Sequence, residues 1–93
     1  MTEITAIRIA AVGGPEAIAV ESVPEPVPGE GEILIRHAAC GVNFIDTYQR
    51  SGLYPIPVPG GIGLEAAGTV AAVGPGVRGW TEGDRAAYCS GPP

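Results

Sequence analysis

Glycine and proline interrupt this chain so often that only short elements fit between them. Gly13-Gly14-Pro15, the stretch from Pro24 to Gly31, Gly52, the run from Pro55 to Gly63, Gly74-Pro75-Gly76 and Gly83 each break a regular backbone. Fifteen Gly and ten Pro among 93 residues are about double the usual share. No collagen-like period accompanies them, and 45% hydrophobic residues is too much for a chain that stays disordered. The pattern predicts turns between many short strands, in one small, mainly β domain spanning residues 1–93 with a thin core.

The apolar alternation places those strands. Thr5 to Val12 puts Ile7 and Ile9 on one face and Arg8 on the other. After Gly13-Gly14-Pro15, the run Ile18 to Val23 alternates again and is expected to pair with the first as a hairpin. Pro24, Pro26 and Pro28 then forbid a ladder and imply an extended connector. Glu32 to Cys40 is the clearest strand, with Ile33, Ile35, His37 and Ala39 on one face and Leu34, Arg36, Ala38 and Cys40 on the other. Tyr54 to Gly63 reads as an irregular loop. Leu64 to Val73 reads as a strand of small residues in which Gly68 marks a bulge or a close backbone approach. Trp80 is expected to anchor the loop from Val77 to Asp84, with Gly83-Asp84 as a tight turn. Arg85 to Tyr88 begins one more strand.

One stretch follows neither pattern. Residues 41 to 54 offer the single short helix and gather Asn43, Asp46, Thr47, Tyr48, Gln49 and Arg50 within eight positions. Asn43 is a good N-cap, Asp46 three residues on suits a capping box and the positive end of the helix, and Gly52 is a natural stop. The same spacing lets Asp46 pair with Arg50 and brings Phe44 and Tyr48 onto one face. These residues could therefore serve the helix alone, or form a site on it.

Several functions are excluded by charge and residue usage. Net charge is −5, with five Arg and no Lys, and those arginines are scattered, so a nucleic-acid surface or an anionic membrane is not the partner. No apolar run reaches the length of a membrane span and no basic-then-apolar leader is present, which makes a cytoplasmic location the expectation. His37 and Cys40 share an H-x-x-C look. A metal site wants three or four ligands, and residues three apart on a regular strand face opposite ways, so no metal site is expected. Gly61-Ile62-Gly63-Leu64-Glu65-Ala66 matches the G-x-G-x-x-A form of a dinucleotide fingerprint. The prolines before it rule out a central strand, and the run after it is not a helix opening, so it is not a phosphate cradle.

Residues 41 to 55, Gly-Val-Asn-Phe-Ile-Asp-Thr-Tyr-Gln-Arg-Ser-Gly-Leu-Tyr-Pro, resemble the quinone oxidoreductase (zeta-crystallin-like) branch of the medium-chain dehydrogenase/reductase superfamily. Gly13 to Glu16, Gly63 to Gly68, Val73 to Val77 and Gly83 to Arg85 look like that branch too, so the likeness covers nearly the whole chain. It implies a GroES-like, partly open β-barrel with short helices. In the family a second, Rossmann domain binds NADPH. Zinc-dependent relatives carry Cys where this chain has Asn43 and His where it has Leu64, and neither Asn nor Leu replaces those ligands. The resemblance thus implies zinc-independent hydride transfer to a quinone or another conjugated carbonyl. By the same resemblance Asn43 and Tyr48 are the catalytic and cofactor-binding residues, facing the nicotinamide and the substrate. Five positions on a helix are about 140° of rotation, so the two converge only if Asn43 lies at or before the cap. Glu65 is then either a second charge beside the site or a plain strand-start residue.

The family's two domains need roughly 320 residues. The chain is therefore expected to be an incomplete barrel without the Rossmann domain, inactive by itself, with open strand edges that favour a homodimer. The competing reading is a stand-alone GroES-like binding or assembly module without chemistry.

Overall fold

The alternation at the start of the chain becomes a hairpin. In the computed structural model, which describes residues 2–90, β1 (Glu3–Ile9) pairs antiparallel with β2 (Ile18–Pro24), in a register running from Glu3 opposite Pro24 to Ile9 opposite Ile18. A single 3-10 turn at Pro15–Ala17 leads into β2. The first strand stops at Ile9 rather than Val12. Val12 instead packs at the end of the helix, where its methyl groups lie 3.3 Å from the place a Cβ would occupy on Gly52. The proline connector starts one residue later than expected: Pro24 ends β2 opposite Glu3, at the strand end where a missing N–H is tolerated, and residues 25–29 form no helix or strand. Its end is tied down by Gly31 N–H donating to the Pro75 carbonyl at 2.9 Å and by Gly74 N–H donating to that of Glu32 at 2.8 Å.

The second sheet is built on β3 (Ile33–Cys40), β5 (Ala66–Val73) and β6 (Arg85–Tyr88), in the order β3-β5-β6 and antiparallel throughout. The stretch read as an irregular loop contributes a two-residue strand, β4 (Gly60–Gly61). It pairs with β1 and makes the first sheet β2-β1-β4. The G-x-G-x-x-A match thus sits between a short strand and β5, and no helix follows it. The two sheets stay open and do not close into a barrel. A radius of gyration of 14.1 Å exceeds the roughly 12 Å of a compact domain of this length. The core is correspondingly thin, with Ile9, Ala66, Val70 and Ala86 as the buried apolar residues.

Both readings of Gly68 hold. A Cβ there would overlap the backbone carbonyl oxygen of Arg36 on the neighbouring strand. Beside it the register jumps: His37 faces Gly68 and Ala39 faces Ala67, leaving Ala38 without a partner. A bulge inserts one residue into the side-chain alternation. His37 and Cys40, which a regular strand would send to opposite faces, therefore come together, with the Cys40 sulfur 3.4 Å from His37 Nδ1.

In the loop before β6, Trp80 is 42% exposed. Asp84 holds the loop through Thr81 N–H, which donates to its carboxylate at 2.9 Å, and through its own carbonyl, which accepts from Val70 N–H at 2.8 Å. Among the described residues no helix is long and apolar enough to cross a membrane.

Candidate functional site

Helix α1 (Phe44–Ser51) forms where its signals put it. Asn43 is the N-cap with extended backbone, φ −128° and ψ 158°, and makes a capping box with Asp46. In the stronger half of that box, Asn43 N–H donates to the Asp46 carboxylate at 2.9 Å. Gly52 closes the helix in the left-handed region at φ 90°, where a side chain is strained.

The expected pairs along the helix do not form. Arg50 turns away from Asp46, and its Nε donates to the Gly13 carbonyl at 3.2 Å. Gly13 N–H returns a bond to the Arg50 carbonyl at 2.9 Å, so Arg50 docks the helix end on the hairpin. A carbonyl that needs a donor holds the guanidinium better than a solvated pair one turn away, which is worth only about 0.2–0.5 kcal/mol. Asp46 keeps its other carboxylate oxygen buried without a partner among the described residues. Phe44 does not pack on Tyr48. It stands 82% exposed, while the Tyr48 ring meets Tyr54 edge-on, with centroids 5.3 Å apart.

The side chain of Asn43 reaches across to the start of β5. Its Nδ2 donates to Glu65 Oε2 at 3.2 Å. A carboxylate only accepts, so this contact fixes which end of the amide faces Glu65. One N–H of the Asn43 amide remains for another partner. Glu65 lies over Gly41, whose N–H donates to the Glu65 carbonyl at 3.2 Å, and a Cβ on Gly41 would overlap the Glu65 side chain. Glu65 immediately precedes the first residue of β5, as the strand-start reading has it, and also accepts from Asn43. Sequence reasoning did not find the Gly41–Glu65 contact. Twenty-four positions separate the two residues, and only the β3–β5 register brings them together.

Of the two expected site residues, Asn43 is directed to Glu65 and Tyr48 to Tyr54. No hydrogen bond engages the Tyr48 hydroxyl among the described residues. Asn43 does sit at the cap, the condition that the helical rotation set for the two to converge. Exposed Val42 and Phe44 flank the Asn43 amide. Among the described residues no three His, Cys, Asp or Glu side chains stand close enough to hold a metal ion.

The fold recurs in known proteins. Residues 29–91 match the alcohol dehydrogenase GroES-like domain. A quinone oxidoreductase of Pseudomonas aeruginosa is 51% identical over 87 residues, covering 92% of this chain and 27% of its own length. Quinone oxidoreductase 1 of Escherichia coli is 55% identical over 78 residues, or 82% of this chain and 24% of its own. The crystal structure of Escherichia coli quinone oxidoreductase complexed with NADPH superimposes with a TM-score of 0.90 at 46% identity, covering 94% of this chain and 27% of that one. The chain therefore spans about a quarter of the length of these relatives, and the Rossmann domain lies outside it. On its fold, its motifs and these relatives, the chain belongs to the alcohol dehydrogenase GroES-like domain family of the medium-chain dehydrogenase/reductases.

Proposed function

We propose that this chain is the substrate-side domain of an NADPH-dependent, zinc-independent reductase of quinones or other conjugated carbonyls. The observation that carries the reading is the Asn43–Glu65 contact at the cap of α1. It orients an amide beside exposed apolar side chains, on a fold shared with a quinone oxidoreductase complexed with NADPH. Those surroundings fit the cofactor: the exposed side chains of Val42 and Phe44 suit a flat ring, and the remaining amide N–H of Asn43 suits the carbonyl of a carboxamide or of a substrate. Bound NADPH supplies the hydride. Asn43 orients the acceptor, and the Tyr48 hydroxyl donates to the oxygen that gains negative charge as the acceptor is reduced. Zinc independence is supported by the donor set, because an amide at position 43 and an alkyl chain at 64 are not zinc ligands. By itself the chain is expected to be inactive.

A chimera tests this reading. Residues 2–90 replace the matching segment of the Escherichia coli enzyme, and NADPH-dependent quinone reduction is measured with and without EDTA. Turnover within about tenfold of the parent, unaffected by the chelator, is the expected result. A folded chimera that binds NADPH without reducing quinones would favour a binding module instead.

The open edges of the two sheets also favour pairing between copies. β2 is exposed along almost its whole length, Val20 included. We expect the 93-residue chain to be a homodimer whose apparent mass rises in light scattering over a tenfold concentration range. A constant monomer mass would refute this.

A further inference from the structure

We propose that Cys40 is a nucleophilic thiol, activated by His37, that takes conjugated-carbonyl electrophiles as covalent adducts. Three side chains from two strands make the arrangement. Cys40 Sγ lies 3.4 Å from His37 Nδ1, and His37 Nε2 lies 3.3 Å from the Tyr88 hydroxyl. The His37 and Tyr88 rings approach to 5.9 Å between centroids. A nucleophile within reach of a base, with the base held by a third group, is the general pattern of an activated side chain.

The two contacts admit either tautomer of the neutral imidazole, and activation uses the one in which the thiol donates to Nδ1 and Nε2–H donates to the Tyr88 oxygen. When the imidazole takes the thiol proton, both ring nitrogens become donors, one to the thiolate and one to the phenol. Tyr88 is suited to that accepting role. Burial, and secondarily the charge of Cys40, push its phenol above the ordinary value of 10, which favours the neutral hydroxyl. Cys40, Tyr88, Cys89 and Glu65 line one open hollow of ≈ 380 Å³. Glu65 is the partner of Asn43, so the thiol borders the candidate site without belonging to its contacts.

The reaction needs no further reactant. The thiolate pair forms a C–S bond at the β carbon of the conjugated carbonyl. The C=C π pair moves to the carbonyl oxygen, which takes a proton from the imidazolium. The net change is addition of S–H across the conjugated system. With a quinone the adduct rearranges to a hydroquinone thioether, the ring gaining the electrons that the addition brings. The choice of electrophile rests on the proposed substrate class, whereas the nucleophile rests on the geometry alone.

The test omits NADPH, so that no reduction competes. The chain is treated with N-ethylmaleimide or 1,4-benzoquinone, quenched over time and cleaved after arginine, which separates Cys40 in peptide 37–50 from Cys89 in peptide 86–93. Both cysteines are free and exposed, so access alone predicts similar rates. We expect Cys40 to react at least about tenfold faster than Cys89 in the folded chain, and the ratio to fall toward one in guanidinium. His37→Gln is expected to bring Cys40 down to the Cys89 rate and leave Cys89 unchanged. Equal rates in the folded wild-type chain, or a His37→Gln variant in which Cys40 stays fast, would overturn the proposal. Should that variant fail to fold, the wild-type ratio with and without guanidinium decides alone. Fast N-ethylmaleimide capture with no benzoquinone adduct would overturn the quinone part and keep the activated thiol.

Discussion

Replacing Gly68 by alanine is expected to cost about 3 kcal/mol and lower the melting temperature by roughly 12–24 °C. The added methyl group would occupy the place of the Arg36 carbonyl oxygen, a backbone atom that cannot rotate away. Relief requires β3 and β5 to separate where they pair, in a domain with four buried apolar residues among those described. Gly79→Ala is the matched control. Gly79 has φ +86° and nothing within 4 Å of the added Cβ, so it reports backbone strain alone, about 1 kcal/mol. If thermal melts of the two variants coincide, close strand approach is not what position 68 requires. The same Gly68 variant should also slow Cys40 alkylation, because the bulge that brings His37 to Cys40 lies against this glycine.

In the chimera, Tyr48→Phe should lower kcat about 10²-fold with little change in melting temperature. The substitution removes only a hydroxyl that has no hydrogen-bond partner among the described residues and keeps the ring contact with Tyr54. Asn43→Ala should lower kcat as well, but it also removes the cap, worth about 1 kcal/mol, and leaves Glu65 without its donor. Asn43→Ser separates these effects, since serine caps a helix and cannot present an amide. A serine variant with restored stability and depressed kcat assigns the amide to chemistry. Equal losses of melting temperature in Asn43→Ala and Tyr48→Phe, with turnover unchanged, would show that both residues only hold the helix in place.

Much of the fold was legible because its signals are local. The alternation of Ile33 to Cys40, the turns at Gly74-Pro75-Gly76 and Gly83-Asp84, and the Asn43 and Gly52 caps each depend on a few neighbouring residues, and each element formed there. The family likeness was legible for the same reason, in the run from Gly41 to Pro55. The failures share a different cause. Arg50 was expected to bond one helical turn away and instead found a carbonyl 37 positions distant. The bonds that tie the loop before β6 to β5, from Gly83 N–H to the Val70 carbonyl and from Val70 N–H to the Asp84 carbonyl, join residues more than ten positions apart and carry no local signal. β4 carries only Gly60 and Gly61, which have no side chains to alternate.

The sequence by itself determined where the backbone turns and where helix α1 starts and stops. These follow from φ restrictions, capping and side-chain chemistry, which act within one residue or one turn. Only the tertiary structure decided that Glu65 orients Asn43, and that Ala38 bulges out and so turns His37 onto Cys40. Both outcomes come from the pairing of β3 with β5. Register is a property of two strands together, and a shift of one residue in it reverses the face of every side chain beyond.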